Sequence, residues 1–202
     1  MMQTATQTIY TETEYFQLEE KASYKSEYFK GEIFMMAGGT PNHNRIKENL
    51  SVEIGIILKK RKTCRSYSSD QRIHIPENSL YTYPDIAVIC GPNEYSEKDK
   101  NTITNPTVII EVISNSTGAY DRGDKFRLYR DIESLQEYIL VNSINVGVET
   151  YRRTADNHWL LAEAWYKLSD VTTIQSIEAS ILLSDLYDGT ENVKEGWITP
   201  EE

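Results

Sequence analysis

Glu111 lies within the run Thr107-Val108-Ile109-Ile110-Glu111-Val112-Ile113, an apolar and largely β-branched segment that reads as a buried strand. An ionised carboxylate is costly to bury there unless an opposite charge meets it. A second acid, Asp85, stands at the mouth of another apolar run, Tyr83-Pro84-Asp85-Ile86-Ala87-Val88-Ile89. Two carboxylates converging from neighbouring strand ends form a site for a hard divalent cation such as Mg²⁺, with Mn²⁺ as a substitute. A cation held in this way can act as a Lewis acid and acidify a bound water. The competing readings are local: a turn aspartate after Pro84, and a buried salt bridge from Glu111 to Arg122 or Lys125.

The elements that must position these acids can be traced from the pattern. Tyr15, Phe16, Leu18 and Ala22 give a weak apolar stripe and predict a short helix after a polar lead. Tyr28 to Ala37 predicts a hairpin turning at Lys30-Gly31. Thr40 as N-cap with Pro41 at the first helical position starts a helix, and Ile46, Leu50, Ile54, Ile57 and Leu58 carry it to about Lys60. A strand-rich block follows: Cys64 to Ile75, a turn over Pro76 to Ser79, Asp85 to Cys90, and Val108 to Ser114, with the polar loop Gly91 to Pro106 read as a mobile flap. Asp121 to Asp131 predicts a second helix. Gln136 to Val141, Val146 to Arg153 and His158 to Trp165 predict further strands, with Thr172 to Leu183 closing the sheet and a short helix at Ser184 to Tyr187. No internal repeat interrupts this order, so one α/β domain with a mixed central β-sheet spans residues 1–202, its core at about 15–187.

Composition narrows the classes. The 202 residues are 39% hydrophobic and 10% aromatic, enough for a single packed core. All apolar runs fall far short of the roughly 20 residues that cross a bilayer, and Met1 to Tyr10 lacks an export pattern, so a cytoplasmic, membrane-free protein is expected. Cys64 and Cys90 form no CxxC pair and the histidines number 3, which argues against a structural zinc site and for reduced thiols. A net charge of −10 disfavours nonspecific binding to the phosphate backbone, although Lys59-Lys60-Arg61-Lys62, Arg65 and Arg72 form a local basic run that reads more simply as a solvated helix end. There is no GxSxG elbow and no phosphate-cradling glycine motif.

The order helix, strand, strand with Pro-Asp, strand with an internal Glu, helix resembles the core of the PD-(D/E)XK nuclease superfamily, and within it the Uma-two type restriction endonuclease family. The resemblance is carried by Tyr28 through Gly31-Glu32, Met36-Ala37-Gly38-Gly39 through His43-Asn44-Arg45-Ile46, Ser69-Asp70 with Arg72, Tyr83-Pro84-Asp85, Asn105-Pro106 through Glu111-Val112-Ile113-Ser114, Ser116-Thr117, Asp121-Arg122-Gly123-Asp124-Lys125 and Tyr129. It implies a restriction endonuclease-like fold and a Mg²⁺-dependent endonuclease acting on nucleic acid, with DNA favoured, as a homodimer. It also implies Asp85 and Glu111 as metal ligands, joined by the backbone carbonyl of Val112. The superfamily's lysine normally stands two residues after the glutamate, but that position here is Ile113. The resemblance places the lysine on the following helix as Lys125, whose plain alternative is an ion pair with Asp121. His43 and Glu32 are further candidates, as a proton or phosphate contact and an accessory metal ligand, against capping and hairpin roles. Asp70 either joins this cluster or pairs with Arg72. Ile113 in the lysine slot and the acidic charge also admit a noncatalytic binding or assembly module that keeps the fold.

Overall fold

The computed structural model describes residues 8–196. The earliest part of the polar lead and the last residues of the C-terminal tail therefore lie outside the described residues. The long helix α2 (Pro41–Arg61) forms as the spacing dictates: Thr40 Oγ1 accepts the His43 N–H at 3.3 Å, Pro41 occupies the first turn, and Lys62 ends the helix in a left-handed conformation. Its stripe of Ile46, Leu50, Ile54 and Leu58 is buried, each side chain contributing roughly 1.5–3 kcal/mol of apolar transfer.

That stripe packs on a six-stranded sheet of β3 (Cys64–Ser68), β6 (Ile86–Cys90), β7 (Val108–Ile113), β8 (Glu137–Asn142), β9 (Val148–Arg153) and β10 (Trp159–Trp165), in the order β10-β9-β8-β7-β6-β3. Only β7 and β8 run parallel. β7 is central and buried on both faces, which explains its near-continuous apolar run. A second sheet, β2-β1-β5-β4, assembles β1 (Ser26–Phe29), β2 (Glu32–Met35), β4 (Ile73–Ile75) and β5 (Leu80–Thr82). β1 and β2 turn at Lys30 and Gly31, both at positive φ as the tight hairpin demands, and a Cβ on Gly31 would press on Ile9. The second sheet and a helical segment cover the other face of the large sheet through Ile73, Ile75, Leu80, Phe126, Leu128 and Tyr129. This segment is continuous but not uniform: α3 (Gly118–Tyr120), a π turn over Asp121–Lys125, and α4 (Phe126–Tyr129).

Four expectations change. The Cys64 to Ile75 block is two strands in different sheets, divided at a turn where the Gln71 N–H meets the Ser68 carbonyl. Thr172 to Leu183 does not close the large sheet. It forms its own hairpin, β11 (Val171–Ile174) with β12 (Ala179–Leu182), because the Glu137 carboxylate accepts the Gln175 and Ser176 N–H groups and Glu178 turns back in the left-handed region. The hairpin leads into α5 (Leu183–Leu186). The Gly91 to Pro106 loop is tied down, with Thr102 and Ile103 buried and Arg72 bonded to Asp99 at 2.6 Å. Cys64 and Cys90, expected as free thiols, are disulfide-bonded: the antiparallel register sets them opposite each other, with their Cα atoms 4.0 Å apart. Among the described residues no helix is long and apolar enough to cross a membrane.

Candidate active site

β6 and β7 pair up to Ile86 and Ile110, so Asp85 and Glu111 come next on adjoining strands just where the ladder opens. The Asp85 N–H donates to Glu111 Oε2 at 3.2 Å, and Asp85 Oδ2 accepts the Val112 N–H at 2.8 Å. The two carboxylates are thus locked side by side at one sheet end. His43, in the first turn of α2, brings Nε2 to 3.1 Å from Asp85 Oδ1. Thr40 capping and Pro41 therefore do more than start a helix: they aim its first turn at the acid pair.

The helical segment supplies the opposite charge. Lys125 Nζ lies 3.0 Å from Glu111 Oε1, 3.2 Å from Glu27 Oε1 and 3.8 Å from Asp121 Oδ1. The alternative pair with Asp121 is also present, buried, and is the longest of the three. Tyr129, one turn on, donates its hydroxyl to Glu111 Oε1 at 2.8 Å. Ile113, in the slot where a strand lysine would stand, is sealed in the apolar layer beneath the helix, which leaves the cationic role near Glu111 to Lys125.

Burial and charge count set the electrostatics. Glu27, Glu111, Asp121 and Lys125 are all buried and Asp85 nearly so, which sets three carboxylates around the ammonium and a fourth, Asp85, between Glu111 and His43. Burial raises the Glu111 carboxyl to about 8, with Asp121 and Asp85 adding to the rise and Lys125 opposing it. Asp121 is raised by the same burial. Burial also works against charge on Asp85, but the His43 and Val112 hydrogen bonds and Lys125 hold it below the usual carboxylate range. Lys125 loses hydration, yet Glu111, Tyr129, Glu27 and Asp121 keep its pKa well above that of a free lysine. The cluster brings together more carboxyl groups than cations, and the raised Glu111 and Asp121 carboxyls reflect it. A divalent ion suits such a donor set, and Mg²⁺ characteristically takes one or two carboxylates and keeps several waters. Among the described residues no group of three or more His, Cys, Asp or Glu side chains is placed to hold a metal ion.

Glu32 is not brought in. It opens β2 opposite Phe29 and has no hydrogen bond or ion pair to the cluster among the described residues. The hairpin acid that reaches Lys125 is Glu27, on β1, which also accepts the Thr82 hydroxyl. Asp70 and Arg72 do not pair with each other: Asp70 meets Lys25 at 2.5 Å on the surface, and Arg72 meets Asp99. The sequence reading missed Glu27, Tyr129 as a Glu111 donor, and Tyr120. The last is partly exposed beside the cluster, and its hydroxyl is pushed up to about 12, first by burial and then by Glu27. Glu27 carries a signal of the same kind as Glu111, an acid beside Tyr28 and Phe29 in a strand.

Among solved structures, one described as "a putative nuclease belonging to DUF820" from Anabaena variabilis superposes with a TM-score of 0.69, covering 87% of this chain and 96% of its own at 18% identity. At that identity the likeness establishes the fold: a restriction endonuclease-like core in a mixed α/β chain. Two Synechocystis proteins, both uncharacterized, are more alike in sequence. One, sll1609, is 40% identical over 163 residues, 81% of this chain and 92% of its own length; the other, slr1290, is 40% identical over 176 residues, 87% and 90% respectively. The family described as "Putative restriction endonuclease" matches residues 13–182, a span holding both acids, His43, Glu27 and the whole π turn. A nuclease-like fold with a carboxylate pair at the open end of its central strands, matched over most of its length, places this chain in the Uma2 family.

Proposed function

We propose that the protein is a Mg²⁺-dependent endonuclease that hydrolyses phosphodiester bonds in nucleic acid, with DNA as the favoured substrate and Mn²⁺ able to replace Mg²⁺. The observation that carries this reading is the Asp85–Glu111 pair, hydrogen-bonded across the strand ends with Lys125 against Glu111. Asp85 and Glu111 would hold the ion, helped by the Val112 carbonyl, which shares a strand edge with the N–H that meets Asp85. Bound there, Mg²⁺ supplies Lewis acidity toward a phosphoryl oxygen and the attacking water. Lys125 faces the same acids and stabilises the charge that builds on the phosphorus-bound oxygens as the new oxygen–phosphorus bond forms and the old one breaks. His43 holds Asp85 in register, and Glu27 and Asp121 fix the ammonium.

The test is titration calorimetry with Mn²⁺ alongside plasmid cleavage. Wild-type protein should bind the ion and nick DNA, whereas Asp85→Ala and Glu111→Ala should do neither. Equal binding and equal cleavage by all three proteins would exclude the site. A wild-type chain that binds no Mn²⁺ and cuts nothing would favour the noncatalytic module that Ile113 in the lysine slot suggests. Cutting both strands of a duplex takes two such centres, so the reading includes a homodimer, and light scattering that shows only a 23.3 kDa species would remove that part.

A further inference from the structure

Two lysines converge on the side of Asp85 that faces away from Glu111. Ser68 pairs with Ile86 and Ile86 with Ile110, so the next residues in line, Ser69, Asp85 and Glu111, form one row across the open end of the sheet. At about 4.8 Å per strand, Ser69 stands one strand spacing from Asp85. Lys47 Nζ donates to Ser69 Oγ at 3.2 Å, and Lys25 Nζ donates to the Ser69 carbonyl at 2.7 Å. Lys47 is one turn along α2 from His43, which meets Asp85, so a single face of that helix serves both positions. Lys25 immediately precedes β1, and its ammonium lies 5.6 Å from the centre of the Tyr83 ring.

These cations are placed differently from Lys125. Three carboxylates enclose Lys125, whereas Lys47 has no carboxylate partner among the described residues and bonds a neutral hydroxyl. Lys25 has one partner, Asp70 at 2.5 Å, but the Asp70 side chain is 85% exposed and that of Lys25 38%, and an ion pair so open to water is weakly held. Lys47 acts on the same carboxylate and helps Lys25 to lower its pKa. Asp70 thus marks where an oxyanion rests near two ammoniums, and its exposure lets it swing into water when another arrives. In a chain of net charge −10, a polyanion is held only where local cations receive it. A phosphodiester strand fits this place because its charges recur along the chain. With one phosphate at Asp85 and Glu111, its neighbour falls beside Ser69.

We propose that Lys25 and Lys47 form a second phosphate subsite, which holds the phosphate next to the scissile one on the Ser69 side of the acid pair. The proposal rests on the nuclease reading and gives that site its grip on the substrate strand. Asp70 occupies the subsite in the free protein and yields it as the strand binds. The contact is to the phosphate backbone alone, so it positions a strand of any sequence and selects none.

The experiment follows the anisotropy of labelled DNA oligonucleotides titrated with the full chain, without Mg²⁺, over a range of salt. Lys25→Met and Lys47→Met should each weaken binding to all sequences alike and flatten the slope of log affinity against log salt by about 0.7–0.9. Lys47→Arg should restore both. Asp70→Asn should tighten binding, and should no longer do so when combined with Lys25→Met. Oligonucleotides made neutral at single phosphates by a methylphosphonate should lose affinity for wild type at the contacted position, and at that position Lys47→Met should lose nothing further. Thermal melting checks that each variant folds, and Asp70→Asn, a change at an exposed side chain, decides should a methionine variant fail to. Unchanged salt slopes in both methionine variants, or binding that Asp70→Asn leaves equal or weaker, overturn the subsite, and the nuclease reading stands if plasmid is still cut in Mg²⁺. Lysine-dependent binding without cleavage keeps the subsite and removes the nuclease. A wild-type protein that neither binds these strands nor cuts plasmid overturns both.

Discussion

Two buried networks in this chain use the same residue types and behave oppositely. At one, Arg152 holds Glu137 at 2.8 Å and Glu163 at 2.7 Å, with a further bond to the Thr173 carbonyl. Backbone N–H groups of Gln175 and Ser176 complete Glu137, and Trp165 and Thr173 complete Glu163. Burial opposes charge on Glu163, yet these donors bring it down to about 2. At the other, around Lys125, the acids outnumber the cation and burial lifts Glu111 to about 8. The first network meets two carboxylates with an arginine and several backbone and side-chain donors, and it fastens the β11–β12 hairpin to the large sheet. The second gathers more carboxylates than cations, and burial answers that excess by raising the Glu111 and Asp121 carboxyls. On the nuclease reading proposed above, buried charge serves function at the Lys125 cluster and architecture at Arg152.

The sharpest way to break this contrast is to remove the acids. Asp85→Ala or Glu111→Ala should lower cleavage by on the order of 10³-fold or more, the several kcal/mol that a metal contributes; a plasmid-nicking time course, normalised to the folded fraction, checks it. Arg152→Ala should do the reverse, leaving Glu137 and Glu163 buried without their cation, at about 3–5 kcal/mol of stability in urea unfolding and with Mn²⁺ binding retained in whatever fraction stays folded.

The pH dependences should also oppose each other. Glu111 binds its proton more tightly folded than unfolded, so its stabilising contribution is complete below 4.5 and is lost as the pH rises through about 8. Glu163 has the opposite sign: its contribution is present above 4.5 and is lost as the pH falls through about 2. Urea midpoints of the metal-free protein between about pH 5 and about pH 9 should therefore fall more steeply in wild type than in Glu111→Gln, and equal slopes would remove the claim that Glu111 is uncompensated. Tyr129→Phe is the smallest change. Loss of one hydrogen bond to Glu111 should cost about 1 kcal/mol and move the Glu111 titration further upward, as carboxyl NMR would record.

Much of the site can be read from the chain because its signals are local. An acid inside an apolar strand, a Pro-Asp at a strand mouth and a Thr-Pro helix start each mark their element, and these put Asp85, Glu111 and His43 in one place. Lys125 is legible only through the family pattern, since nothing in Asp121 to Lys125 announces a π turn. The missed features depend on register. Cys64 meets Cys90 only because β3 and β6 align as they do, and the split of β3 and β4 into separate sheets follows from pairings far along the chain. Glu27 was hidden by a boundary: a hairpin starting at Tyr28 leaves it outside, whereas β1 begins at Ser26.

The π turn has a geometric corollary. At its start, Arg122 is anchored to Glu149, and the Asp121 carbonyl takes the Tyr138 hydroxyl; at its end and one turn beyond, Lys125 and Tyr129 both grip Glu111. A π turn amounts to one extra residue threaded into an α-helix, and each residue advances the helix by about 100°. Removing one, at Gly123 where a side chain would meet nothing, leaves the two halves out of phase by that angle, so only one set of anchors can engage. The surplus residue is what lets a single rod face two neighbouring strands at once.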